Sequence, residues 1–293
     1  MMILKKYLKN MVKSRQRRLV RNLFLTGICV SLICGGCSPT YPKEKLAETL
    51  VDVCEKEYNV QIQAKLIGKT IIIFIPLDEL FDLKLDILPE AVEKIEDVIL
   101  TTSRAIFSTD AQVDFYMIIA GDVKTTAAEV LLVRYMDDVY KFMHGWIKRE
   151  DYSRRILWQI NFNPKLLKSS FYDFDVEEIT LPGFLASQIG QRLNKIFAST
   201  VVHKIKINSE FDPETKRFFF SVVSADNTRF EKIYLPIIAN IADEVLMEYK
   251  FEDFSEIIIR NELLRNFIVI TKNDREEYRR VDIDELLTLP FFN

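Results

Sequence analysis

Four prolines, Pro42, Pro89, Pro182 and Pro236, each stand at the head of an amphipathic run, and this placement most narrows what the chain can fold into. Proline suits the first position of a helix, because its missing N–H would be unpaired there and its φ is already helical. Behind Pro89 apolar residues recur at spacings of three and four, at Val92, Ile95, Val98 and Ile99. Behind Pro182 the same spacing runs through Phe184, Leu185, Ile189, Leu193 and Ile196. That period is the mark of a helix with one buried face. Helices are therefore predicted over 43–58, 90–107, 183–197 and 237–249.

Strand patterns fill the gaps. Val60, Ile62, Ala64 and Leu66 alternate with polar residues, and Gly68-Lys69 then turns into the apolar run Thr70 to Ile75. In the second half Ile205 and Ile207 alternate with Lys204, Lys206 and Asn208, and Asp212-Pro213 turns into Arg217 to Val223. Each pair reads as a β-hairpin. Two further strands follow the second helix of each half: Val113 to Ala120 and Glu129 to Tyr135, then Glu256 to Arg260 and Asn266 to Thr271. A polar, helix-prone segment closes each half, at Asp137 to Gly145 and Asp274 to Leu287.

The expected fold is thus α+β: two tandem α-ββ-α-ββ-α repeats, each a mostly antiparallel four-stranded sheet with helices packed on it. The predicted division is 1–36 as a signal peptide, 37–145 as the first repeat, 146–180 as an ordered helical bridge through Tyr152, Ile156 and Ile160, and 181–293 as the second repeat. Residue identity between the halves is low, so order, spacing and the prolines carry the duplication.

The N-terminus has a different composition. Residues 1–36 hold eight Lys or Arg and no Asp or Glu, followed by the mostly apolar stretch Leu23 to Ile33 and by Gly35-Gly36-Cys37. A basic region, a short apolar region and a small-residue cleavage site make a secretory signal. The apolar stretch falls well short of the roughly 20 residues a membrane-spanning helix needs. These residues resemble the lipobox-type signal of bacterial lipoprotein precursors, although Cys34 occupies a position where that family carries an aliphatic residue. The resemblance covers residues 1–37 alone. It implies cleavage between Gly36 and Cys37 and a covalent diacylglycerol on Cys37. The alternative is an uncleaved N-terminal anchor with its basic end in the cytoplasm. Both place the body in the cell envelope, outside the cytoplasm, attached to a membrane through its N-terminus.

Without the eight basic residues of the leader the chain keeps 32 basic against 43 acidic residues, a net charge near −11. Nucleic-acid binding rests on Lys and Arg neutralising phosphates, so no nucleic-acid partner is expected. Beyond Cys37 the one cysteine is Cys54, in the helical stripe Leu46, Leu50, Val53 and Cys54, where it reads as a buried structural thiol. Five glycines beyond the leader (68, 121, 145, 183 and 190) lie too far apart for a GxGxxG or P-loop phosphate cradle. His144 and His203 fall at non-equivalent positions of the two halves, and no metal-ligand spacing surrounds either. The carboxylate pair Asp137-Asp138 stands where a helix N-terminus favours acids, so it reads as capping or a solvated face.

No cofactor, metal site or catalytic residue is expected. The apolar surplus points elsewhere: Phe219, within Phe218-Phe219-Phe220, and the C-terminal Phe291 and Phe292 are the candidate partner patch. The reading that follows is a non-enzymatic, lipid-anchored envelope protein that binds an envelope protein or scaffolds an assembly. The alternative is a carrier of a lipid or other apolar ligand.

Overall fold

The computed structural model describes residues 41–274 apart from 83, 85, 169–171, 175, 200–204, 225 and 226. Gly36, Cys37, His203, Phe291 and Phe292 lie outside the described residues. In the first half a short 3-10 turn behind Pro42 leads into α1 (Leu46–Tyr58). The hairpin β1 (Gln63–Ile67) and β2 (Thr70–Leu77) follows, turning at Gly68 with φ +55°. Then come α2 (Pro89–Phe107), β3 (Phe115–Asp122), β4 (Ala128–Tyr135), α3 (Met136–Met143), α4 (Arg149–Arg154) and β5 (Leu157–Phe162). The second half holds α5 (Leu181–Ser199), β6 (Ile207–Asp212), β7 (Arg217–Val222), α6 (Leu235–Glu248), β8 (Glu256–Asn261) and β9 (Asn266–Thr271).

The strands form two sheets, ordered β1-β2-β3-β4-β5 and β6-β7-β8-β9. Both are mostly antiparallel. Each has one parallel pair inside it, β2 with β3 and β7 with β8. Parallel neighbours need a crossover connection, and the chain passes through α2 between the first pair and through α6 between the second.

Burial explains the strand compositions. Ile71, Ile73 and Ile75 of β2 pack with Tyr116 and Ile118 against Leu46, Leu50 and Cys54 of α1 and Val98 and Ala105 of α2. The intervening Ile72 and Phe74 point to the opposite face, with Phe115, Met117 and Ile119, and join Phe184, Leu185 and Ile189 of α5. The same core continues through Ile238, Ala242 and Val245 of α6 to Phe218, Phe220, Ile257 and Ile259 of the second sheet. Helices and sheets therefore alternate in layers, and the first sheet is covered on both faces. A sheet buried on both faces calls for a continuous apolar run, which is why β2 reads TIIIFI. Tyr172 and Ile179 add to the cover: Tyr172 stacks on Phe74 at 4.8 Å, and the Ile179 N–H donates to Thr70 Oγ1 at 3.0 Å.

Two expectations need correction. The span 146–180 is not a helical bridge: among its described residues the helical parts are the short α4 and a 3-10 turn at Pro164–Lys168, and between them Leu157–Phe162 forms the fifth strand of the first sheet. Ile156, Trp158, Ile160 and Phe162 recur with period two, the strand period, and this outweighs the looser helical spacing of Tyr152, Ile156 and Ile160. Nor does Pro236 open its helix. Asn227–Arg229 and a π turn at Phe230–Tyr234 run directly into α6, whose second residue is Pro236. The Leu235 N–H reaches back to the Phe230 carbonyl, and such a wide turn is a usual place for a proline that lacks the donor for an ordinary helical bond.

Candidate interaction surface and the polar seam beside it

The strand β5 ends the first sheet. It pairs on one side with β4, with Leu132 opposite Trp158, Val130 opposite Ile160 and Ala128 opposite Phe162. Val130 and Leu132 belong to the core under α1 and α2, so Trp158, Ile160 and Phe162 extend that face of the sheet beyond the helices. All three meet solvent, at 59%, 44% and 73% exposure. The strand, LWQINF, carries no charge, no proline and no glycine, in a chain with 28% charged residues. Edge strands are normally guarded by such residues, because their free N–H and C=O groups invite another strand.

The start of this edge is already occupied. The Trp158 N–H donates to Gln191 Oε1 at 2.9 Å, and Gln191 Nε2 donates to the Ile156 carbonyl at 2.9 Å. Gln191 of α5 thus stands in for a neighbouring strand. Backbone direction alternates along an antiparallel strand, so Ile160 and Phe162 turn their N–H and C=O groups to the same free edge, past the reach of Gln191. Among the described residues no strand pairs with that edge.

A polar seam lies at the chain segment just before β5. Asp138, in the first turn of α3, is 1% exposed. Its Oδ1 accepts from Arg155 Nη1 at 2.8 Å and its Oδ2 from the Tyr249 hydroxyl at 2.6 Å. The Arg155 guanidinium sits over the Tyr249 ring, 5.2 Å from its centre. Arg192 of α5 donates twice to Glu248 of α6, at 2.7 and 3.2 Å, and once to Glu244 at 3.3 Å. Gln188 of α5 also donates to the Arg155 carbonyl. Burial raises the Asp138 pKa against the opposing pull of Tyr249 and Arg155. Burial likewise raises that of Tyr249, reinforced by the neighbouring Asp138. Both carboxylate oxygens of Asp138 are engaged and closed off from solvent, and the seam joins the halves. Asp138 is accordingly neither a helix cap nor part of a solvated face; its neighbour Asp137 is the solvated one, paired with Lys141 at 2.5 Å.

The other sequence candidates fall at separate places. Phe219 is half-buried on the outer face of the second sheet, opposite Ile258, near Phe267 (61% exposed) and Val269. Phe218 and Phe220 point inward and are fully buried. His144 is exposed, with Nδ1 2.9 Å from the Tyr140 carbonyl and its ring 4.1 Å from the Tyr140 ring. Cys54 is buried, and burial pushes its thiol up to about 11. Among the described residues no group of three or more His, Cys, Asp and Glu is placed to hold a metal ion. An open cleft of about 660 Å³ runs along α1 between charged residues such as Glu48, Asp52 and Lys56.

Sequence reasoning missed the β5 surface, although its signal was present in the period-two apolar residues and the missing charges. It also missed the seam, whose members stand up to 111 positions apart. No family model matches the chain, and no curated protein does. Among solved structures it is weakly similar to the "Crystal structure of Sex pheromone staph-cAM373 precursor", at 14% identity over 80% of each chain and a TM-score of 0.22. A score that low does not place the two chains in one fold. No helix among the described residues is long and apolar enough to cross a membrane.

Proposed function

We propose that this chain is a lipid-anchored cell-envelope protein, carried by a diacylglycerol on Cys37, that works by binding a protein partner and not by catalysis. The observation that carries the binding half is β5, an uncharged edge strand with three large apolar side chains in solvent. The anchoring half rests on the leader, with its basic run, short apolar stretch and Gly35-Gly36-Cys37. The two halves of the body also read as copies of one α-ββ-α-ββ-α unit. In support, each sheet places a parallel pair next to an antiparallel hairpin, with one helix crossing between the parallel strands.

Two measurements test the proposal. The intact mass of protein extracted from its host's membranes should start at Cys37 and include acyl chains; an unmodified protein in the cytosolic fraction would overturn the anchoring. A photo-reactive residue in place of Phe162, in the full chain in host cells, should trap protein adducts reproducibly. Irradiation that yields none under several growth conditions removes the binding half.

A further inference from the structure

The β5 edge has a property that selects its partner. Read in opposite directions about Ile160, the strand is nearly self-complementary. Trp158 falls opposite the Phe162 of a second strand, Ile160 opposite its counterpart, and the amides Gln159 and Asn161 opposite each other on the reverse face. We infer that β5 pairs antiparallel with the β5 of a second copy of this chain, about a two-fold axis at Ile160, joining two five-stranded sheets into one. The inference rests on the partner-binding reading above and names the partner.

Backbone direction fits this register. Ile160 directs its N–H and C=O outward and meets its own counterpart, giving a reciprocal pair of hydrogen bonds across the axis. The Phe162 N–H meets the Trp158 carbonyl of the other copy, a group that Gln191 leaves open while it holds the Trp158 N–H. The pairing therefore ends where α5 has already closed the edge. Such isologous contacts, with one patch used by both copies, are the commonest way for identical chains to associate.

Charge favours the same occupant. Beyond the leader the chain carries a net charge near −11, so two copies repel over most of their surfaces. The six residues of β5 form a charge-free window, and in this register no like charges stand opposite one another within it. Cross-strand aromatic pairs add to the ladder bonds, and the register supplies two of them by symmetry. The two rings offer roughly 250 Å² per copy. Even with Ile160 and the strand edges, the pair buries less than the roughly 1,000 Å² at which a specific interface is stable by itself. Association is therefore weak between free chains and strengthened when both are held on one membrane, where the effective concentration is high.

The test uses the full chain in its host's membranes with a photo-reactive residue at Ile160. The expected product has twice the mass of the chain, at least tenfold more abundant than from the same group at Gln159, which faces the other side of the sheet. An Ile160→Lys variant of the detergent-extracted full chain, which brings like charges together on the axis, should shift the sedimenting species at least tenfold toward monomer, while Ile160→Val does not. Both substitutions sit at a solvent-exposed position, and an unchanged circular dichroism spectrum confirms the fold. An adduct of a different mass would overturn self-pairing and keep the partner-binding reading. No adduct, or equal yields from positions 159 and 160, would overturn both.

Discussion

The hydroxyl of Tyr249, at the C-terminal end of α6, donates to Oδ2 of Asp138, at the start of α3, across the boundary between the two halves at 2.6 Å. With Arg155 on the other carboxylate oxygen, this contact fixes one half against the other. Removing one member of a buried ion pair costs about 3 kcal/mol or more, since the other charge stays behind unpaired. Arg155→Met should therefore lower the unfolding free energy by about 3 kcal/mol at pH 7, and Tyr249→Phe by about 1–2 kcal/mol. The sign with pH follows from Asp138, whose pKa is raised by burial. A carboxyl raised in the folded state favours folding below its unfolded pKa, and that contribution is lost as pH rises through the folded value. Without Arg155 the carboxyl rises further, so the cost of Arg155→Met should shrink near pH 4. Denaturant titrations at the two pH values check this; an equal cost at both would show that Asp138 is not the group left uncompensated.

Asp122 has the opposite sign. It is fully buried at the end of β3 and accepts from the Thr125 N–H at 2.7 Å and the Thr126 hydroxyl at 2.8 Å. Burial acts to raise its pKa, but the hydrogen bonds from Thr125 and Thr126 outweigh it and hold the group at about 2. A lowered carboxyl stabilises the fold above its unfolded pKa near 4, and this is lost as pH falls from there through the folded value. Asp122→Asn should cost about 2 kcal/mol at neutral pH and flatten the acid limb of the stability curve between about pH 4 and 2.

Gly190 lies inside α5, where glycine is a poor helix former. A Cβ there would collide with the Ser209 side chain on β6. Gly190→Val should destabilise the second half by about 1–3 kcal/mol through overpacking, in spite of any gain in helix propensity. Pairing it with Ser209→Gly should recover part of the loss, as chemical denaturation of both variants will show.

Cys54 should be inert in the folded protein. Its thiol is buried beneath α2 and held at about 11. Only the thiolate reacts, so alkylation of the Cys54 peptide at pH 8 should be at least a hundredfold slower than for free cysteine. Labelling should reach the ordinary rate in denaturant, with mass spectrometry of the digest as the readout.

Much of the fold was legible in residue order. The periodicity behind Pro89 and Pro182 gave α2 and α5, the turns at Gly68 and Asp212 gave two hairpins, and the helical stripe at Leu46, Leu50 and Cys54 gave a buried thiol. These features are local, each set by a few neighbouring residues. Pro236 misled because proline marks the first turn of α6 without ruling out a helical turn ahead of it. Tyr152, Ile156 and Ile160 misled because a short apolar series fits two periods at once, and only pairing with β4 selects the strand.

The sequence by itself determined most of the helices, the hairpins, the net negative charge beyond residue 36 and the basic-then-apolar stretch before Cys37, since each depends on composition or short-range period. Only the tertiary structure decided which faces those elements share. It covered the first sheet on both sides and brought Asp138, Arg155 and Tyr249 together. It also placed β5 at the end of the sheet, with Ile160 and Phe162 facing an edge that no strand pairs with among the described residues. The physical reason is that contacts between residues far apart in the chain depend on how whole layers stack, and no local pattern records the outcome of that packing.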